Sequence, residues 1–466
     1  MRIRFCGAAR TVTGSAHLIT LDSGFTILLD CGLYQGNARE MEDFNNKWYF
    51  NPGELDCVVL SHAHIDHSGR LPKLIRDGFK GEIYATHATR SLCAIMLLDS
   101  AMIQERDAEY ANKNLRKRGN KGLQKPLYVS HDVAETMKVF CGVPYDRWFR
   151  IHDSVEIQYR DAGHILGSAN VTLKIREHGK EILFGFSGDI GRPDRPILRD
   201  PQQMPELDYL ICEATYGDRD HISKPEETDR LLHIIKETCL ENRGKVIIPA
   251  FSIGRTQEIV YILDQFENAG VLPHVPVYVD SPLAVNATQV YGAHPECYDN
   301  ELNEYLLMDD NPFGFNNLTY VRNVEISKAL NTSVDPCIII SSSGMMNAGR
   351  VRHHLYHNID QSKNTFLMVG YCTPSTPGGM LLAGIDEIKL YGEVKQVRAK
   401  IARMDSFSAH GDRNEMIDFV RNQTRLKKIF LVHGEYEPQV SFRSLLDGYF
   451  HVPVEIPSLG QEFVLS

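Results

Sequence analysis

Ser61-His-Ala-His-Ile-Asp-His-Ser-Gly-Arg-Leu-Pro72 follows directly on the apolar run Cys57-Val-Val-Leu60, and it crowds three histidines and an aspartate into six positions. With 19 His among 466 residues, chance is a poor explanation of that density. A solvated histidine tract would be longer and less ordered, and would not begin at the end of a strand-like run. In a helix, residues two apart face away from one another, so His62 and His64 can meet at one ion only in an extended or looped backbone. Ser61 and the Ser68-Gly69 pair agree with a loop. Imidazole and carboxylate together suit zinc, and also iron or manganese. The spacing excludes the His-Glu-x-x-His helix of the zincins.

Four ligands in one loop do not make a catalytic centre, and the rest of the chain supplies more. Strand-like runs end in a polar, metal-capable residue at Ile27-Leu-Leu-Asp30, Val58-Val-Leu-Ser-His62, Phe184-Gly-Phe-Ser-Gly-Asp189, Leu210-Ile-Cys-Glu213 and Ile429-Phe-Leu-Val-His433. His164 stands in the turn-like Asp161-Ala-Gly-His-Ile-Leu-Gly167. Ligands gathered at strand ends are where a layered α/β fold opens a crevice. Singly, each of these residues is more ordinary as a turn former or cap. As a set beside the loop at 61–72, they point to a metal site.

At 466 residues the chain is long enough for two or three domains, and 43% hydrophobic content is ordinary for a globular protein. No apolar stretch is long enough to span a bilayer, and the start Met1-Arg-Ile-Arg-Phe5 lacks the apolar core of a signal peptide, so a cytoplasmic protein is expected. The ten Cys include no Cys-x-x-Cys pair, and Cys57, Cys212 and Cys337 fall inside apolar runs, as reduced core thiols do. A net charge of −10 argues against indiscriminate binding of nucleic acid without excluding a local basic groove. The densest basic stretch, Lys113 to Lys125, reads equally as a solvated loop or as an RNA-facing arm.

Short strands alternate with helices such as Ala88 to Asp107 over the first 208 residues. The next stretch changes character: Gly244 to Arg255 reads as a strand and a Gly-containing turn, followed by a helix in Gln257 to Phe266. The same order recurs at Pro276 to Pro282 and at Pro336 to Arg350, which argues for a parallel α/β unit. The absence of Gly-x-Gly-x-x-Gly disfavours a dinucleotide fold. Ser and Gly before these helices serve equally as ordinary caps or as anion sites. After Tyr391 the strand pattern resumes at Val394 to Ile401, then come Ser406 to Asp412 and Leu431 to Glu435. His410 and His433 can complete the site only if the chain returns to it, which makes the middle an insertion: 1–208, 209–395 and 396–466.

Together these residues resemble the metallo-β-lactamase superfamily, and the insertion makes the chain similar to its β-CASP branch of nucleic-acid-processing nucleases. The resemblance runs nearly end to end, with Asp30 as the first motif, His62-Ala-His-Ile-Asp-His67 the second, His164 the third and Asp189 the fourth. The β-CASP motifs look like Glu213 in Cys-Glu-Ala-Thr-Tyr, His410 in Ser-Phe-Ser-Ala-His-Gly and His433 in Val-His-Gly-Glu. Ile248-Pro-Ala-Phe-Ser-Ile-Gly-Arg255, Asp280-Ser-Pro and Ser343-Gly-Met-Met-Asn-Ala-Gly-Arg350 are similar to further signatures. Histidine at the last motif resembles the RNA-directed members, such as the 3′-end-processing endonucleases and their bacterial and archaeal relatives. In one departure, the turn from Gly370 to Met380 lacks the basic residue that members often carry, which puts RNA contacts there in doubt. No KH-like Gly-x-x-Gly segment precedes Met1, so selection of substrate by an appended RNA-binding domain is not expected.

The resemblance implies an α/β fold, an αββα sandwich with an inserted parallel α/β cap. It implies two zinc ions per chain, or manganese or iron, one on His62, His64 and His164 and the other on Asp66, His67 and His433, bridged by Asp189. Since metal binding lowers the pKa of water from about 15.7 to about 7, a bridging hydroxide would attack phosphorus in single-stranded RNA and leave a 5′-phosphate and a 3′-hydroxyl. The expected catalytic residues are Asp66, His410 as general acid, Glu213 orienting His410 and raising its pKa, and Asp30 fixing a ligand or the metal water. The cap is expected to leave a groove too narrow for a duplex, with phosphates near Arg255, Ser343, Gly344 and Arg350. Single-stranded RNA is the expected partner and a membrane is not; a homodimer stays open, as does the choice between internal cuts and 5′ to 3′ digestion. A non-catalytic RNA-processing scaffold is disfavoured because every ligand position is filled. A small-molecule metallohydrolase is disfavoured by the long insertion and by Glu213, His410 and His433.

Overall fold

The computed structural model describes residues 1–36, 38–117, 124–221, 227–370, 372–404 and 408–465. It divides into two units, Met1–Asp220 with His410–Ser466, and His221–Ala409.

Two seven-stranded sheets lie face to face in the first unit. One runs in the order 462–464, 2–5, 17–20, 26–29, 57–59, 82–86, 140–143, and the other 454–455, 428–432, 209–213, 180–186, 169–177, 155–161, 149–152. Apolar side chains from both inner faces make one core, with Phe5, Ile19, Leu29 and Val59 meeting Val171, Phe184, Phe186, Ile211 and Phe430. Each such side chain contributes about 1.5–3 kcal/mol by leaving water. Helix His87–Lys117 packs on strands 82–86 and 140–143, with Leu71–Arg76 and Ser130–Lys138 beside it. On the other sheet, Met416, Phe419, Phe442 and Leu446 of helices Arg413–Val420 and Tyr436–Tyr449 cover Leu210, Ile429 and Leu431. The layers are therefore αββα.

Topology then places the candidate ligands. Strands 26–29 and 57–59 are parallel neighbours, so Asp30 and Ser61-His62 emerge on the same edge. In the other sheet, strands 180–186, 209–213 and 428–432 are parallel neighbours, with Glu213 paired to Val432, so Asp189, Glu213 and His433 also emerge together. Carboxyl ends of parallel strands are where α/β folds open their crevices.

The second unit holds six parallel strands in the order 318–320, 277–279, 337–341, 245–249, 365–368, 400–403. Helices Arg255–Asn268, Pro282–Gly292 and Val351–Asn358 follow strands 245–249, 277–279 and 337–341, the repeated order expected from the sequence. The run from Val394 to Ile401 is not one strand: Glu393–Gln396 belongs to an antiparallel hairpin and Lys400–Arg403 to the parallel sheet. Strand Tyr209–Glu213 belongs to the first unit, so the unit borders at 221 and 409 stand later in the chain than the divisions at 209 and 395 read from the sequence. Part of the basic tract from Lys113 to Lys125, Tyr371, and Ser406 with Phe407 lie outside the described residues.

Candidate metal centre

His62 and His64 lie outside helix and strand, after strand 57–59, with His64 at φ −52° and ψ 148°. Asp66 and His67 do not continue as loop; Ile65–Ser68 forms a single helical turn with His64 at its N-cap. Asp66 and His67 are thereby brought side by side rather than onto opposite faces. Backbone contacts pin this turn, with Ser15 N–H donating to Asp66 O at 2.8 Å and Cys31 N–H to His67 O at 2.7 Å. Gly32 permits the approach, since a Cβ there would lie 1.6 Å from Asp66 O.

Two groups that could hold a metal ion result. His62, His64, His164 and Asp189 form one and Asp66, His67 and His433 the other, with ligand atoms within 4.8 Å of one another in each. Asp189 faces both. Its Oδ2 lies 3.4 Å from His62 Nε2 and 3.5 Å from His164 Nε2, while its Oδ1 lies 3.2 Å from His67 Nε2 and 3.4 Å from His433 Nδ1. Asp66 Oδ2 is 3.4 Å from His433 Nε2.

Supporting groups turn these side chains inward. Asp30 is fully buried, accepts Ser61 N–H at 2.8 Å and the Ser15 hydroxyl at 3.1 Å, and lies 2.7 Å from His67 Nδ1, which leaves His67 Nε2 facing the cluster. Ser61 Oγ lies 3.0 Å from His62 Nδ1 to the same effect. Asp30 and His433 both hold φ in the left-handed region, at 58° and 47°. Such strain in non-glycine residues gathers where the fold overrides local preference to aim a side chain.

Glu213, with His410 and Asp189, makes a third grouping. Glu213 accepts the Ile190 N–H at 2.5 Å and the Thr215 hydroxyl at 2.5 Å, and its Oε1 lies 3.3 Å from His410 Nδ1. Burial pulls the His410 pKa down, but the charge and hydrogen bond of Glu213, with Asp189 and Asp66, outweigh it and hold His410 up at about 9. The His410 side chain is 21% exposed, which leaves it reachable.

The donor set fits divalent metal. Asp189 Oδ1 is buried and has no hydrogen-bond partner, an orphan that a cation would satisfy. Burial, aided by the neighbouring imidazoles, pushes His64 down to about 3 and His62 and His164 below their ordinary value, so all three present the neutral lone pair that a metal requires. His67 behaves oppositely: despite burial, Asp189 and Asp30 on either side hold it well above the usual imidazole range.

The residues expected to meet RNA in the second unit divide into two kinds. Arg255 is buried and paired with Glu258, and Arg350 donates to Asp280 Oδ1 at 2.6 Å and to the carbonyls of Val321 and Arg322. Both guanidinium groups thus hold partners within the second unit. Ser343 and Gly344 remain half-buried in the loop after strand 337–341. Sequence reasoning missed Ser15, Ser61 and Thr215. Thr215 Oγ1 touches both Glu213 and His433 Nδ1, and its only signal was its place two residues beyond Glu213.

Comparison with known proteins agrees with this architecture. The family model described as metallo-beta-lactamase superfamily matches residues 9–201, the Beta-Casp domain 256–381, and the Zn-dependent metallo-hydrolase RNA specificity domain 394–457. Ribonuclease TTHA0252 of Thermus thermophilus is 36% identical, over 96% of this chain and 96% of that protein. The chain belongs to the metallo-β-lactamase superfamily, in its β-CASP branch. Other β-CASP relatives are an RNase J-like protein of Methanocaldococcus jannaschii, 32% identical over 98% of both chains, and transcription termination factor FttA of Methanosarcina mazei, 29% identical over 95% of this chain and 68% of that one. A solved structure of a protein of unknown function from Enterococcus faecalis V583 shares the fold, with a TM-score of 0.52 at 12% identity over 100% of this chain and 99% of that one. No described helix is long and apolar enough to cross a membrane.

Proposed function

We propose that the protein is a metal-dependent ribonuclease that hydrolyses phosphodiester bonds of single-stranded RNA. The observation that carries this reading is Asp189, which offers one oxygen to each of two histidine groups while a Glu213–His410 pair stands beside it. The relatives named ribonuclease and RNase J-like protein support RNA as the substrate class.

His62, His64 and His164 would hold one ion and Asp66, His67 and His433 a second, with Asp189 between them; zinc suits the donors. Bound there, two divalent ions supply water acidified to a pKa of about 7 and offset charge on the phosphate. Asp30 keeps His67 Nε2 aimed at the site. His410, protonated below about pH 9 and reachable from solvent, gives a proton to the departing 3′-oxygen, and Glu213 fixes its ring through Nδ1. Ile190 N–H and Thr215 hold Glu213 itself in place. Ser343 and Gly344 contact RNA in the second unit. Action in the cytoplasm belongs to the same proposal, supported by thiols such as Cys57, Cys212 and Cys337 that are buried in the core and form no disulfide.

Product chemistry tests the reaction. Zinc-loaded protein is incubated with single-stranded RNA labelled at either end, and the new termini are mapped. A 5′-phosphate and a 3′-hydroxyl are expected; a 2′,3′-cyclic phosphate would show that the RNA's own hydroxyl is the nucleophile and would overturn it. Comparison of the two labels separates internal cuts from 5′ to 3′ digestion.

A further inference from the structure

The antiparallel hairpin of the second unit, Glu387–Leu390 with Glu393–Gln396, is closed by Tyr391 and Gly392. Both have positive φ, 51° and 91°. Such a two-residue turn favours Asn-Gly, Asp-Gly or Gly-Gly, and a bulky side chain at the first position is strained. A tyrosine held there against local preference asks for a reason outside the turn.

Its surroundings supply one. Tyr391 is 51% exposed, yet its ring is held by three neighbours. His353 stacks on it at 5.2 Å with an 18° interplanar angle, Tyr356 meets it edge-on at 5.6 Å, and the Arg352 guanidinium lies 4.9 Å from its centroid. Arg352 Nε is buried without a hydrogen-bond partner, and no ion pair among the described residues takes up its charge. The nearby acids are engaged: Glu393 accepts the Tyr356 hydroxyl, and Asp360 pairs with Lys395, which itself lies 4.4 Å over the Tyr356 ring. A half-exposed aromatic ring beside a guanidinium with no ion pair among the described residues matches a nucleotide, which offers a base to stack and a phosphate to pair.

We propose that Tyr391, backed by His353 and Arg352, is a stacking platform for one base of single-stranded RNA, with Arg352 on the adjoining phosphate. The choice of RNA as ligand rests on the ribonuclease reading.

The test is steady-state cleavage and anisotropy binding of an oligoadenylate of about 20 nucleotides by the full zinc-loaded chain, comparing wild type with Tyr391→Asn, Tyr391→Phe and Arg352→Gln. Tyr391→Asn places a turn-favoured residue at this φ, so its melting temperature should hold or rise while KM and Kd increase about tenfold and kcat is unchanged. Tyr391→Phe should match wild type, and Arg352→Gln should weaken binding. Cleavage by wild type with KM for Tyr391→Asn within about twofold of it overturns the platform alone. A changed sedimentation coefficient with unaltered RNA binding assigns the face to a protein contact and also overturns it. A wild type that neither binds nor cleaves RNA removes the ribonuclease reading and the platform together.

Discussion

Asp189 divides its carboxylate oxygens between His62 and His164 on one side and His67 and His433 on the other. Asp189→Ala should therefore lower the metal content by more than the share of one ion, as elemental analysis after dialysis would read; loss of a single equivalent would argue against a bridging role. His410 makes a different prediction because it lies outside both ligand groups. His410→Ala should keep its metal and lose about 10²–10⁴ in turnover. The protonated form is the working one, so activity should fall as pH rises through the His410 pKa. Metal cations oppose protonation, which places that limb no higher than about pH 9. Glu213→Gln removes the charge that raises the pKa, so the limb should move to lower pH; an unmoved limb in the pH–rate profile would separate Glu213 from His410. The cluster itself was legible because histidines and an aspartate crowded at loop spacing serve few purposes besides holding metal. Ser15, Ser61 and Thr215 were not, since a hydroxyl is common and its partner is set by the fold. The pairing of Arg255 was legible in part, since Glu258 stands three positions on in the same helix.

Among the elements, the turn Ile65–Ser68 does most to assemble the centre, and it depends on close backbone contact with residues 15 and 31–33. A methyl group on Gly32 would meet Asp66 O at 1.6 Å and Ser15 N at 2.7 Å, so the two segments must part. Gly32→Ala should cost about 3 kcal/mol in urea unfolding and weaken metal binding in the same variant; stability and affinity equal to wild type would show that the turn is not held from this side. Strands ending in a ligand could be read from sequence because apolar runs stop abruptly at Asp30, His62, Glu213 and His433. The helical turn at 65–68 could not, being four residues long with Asp66 and His67 set by tertiary contact. Nor could the break between Gln396 and Lys400, where one alternating pattern serves two sheets.

At the scale of the molecule, a net charge of −10 said little about RNA, because the proposed chemistry lies in one cluster whose metal ions would change its sign. The insertion was legible for a physical reason: Glu213 and His410 stand 197 positions apart, yet their chemistry makes sense only side by side. The unit borders were less so, since the apolar strands 209–213 and 245–249 look alike in sequence and join different sheets. The measurement that bears most directly on the whole is cleavage of single-stranded RNA by zinc-loaded wild type beside an Asp66→Ala, His67→Ala variant, with metal counted in both. Zinc-dependent cleavage by wild type, lost in the variant together with bound metal, is the predicted result. Wild-type protein with its metal confirmed and RNA left intact would contradict it.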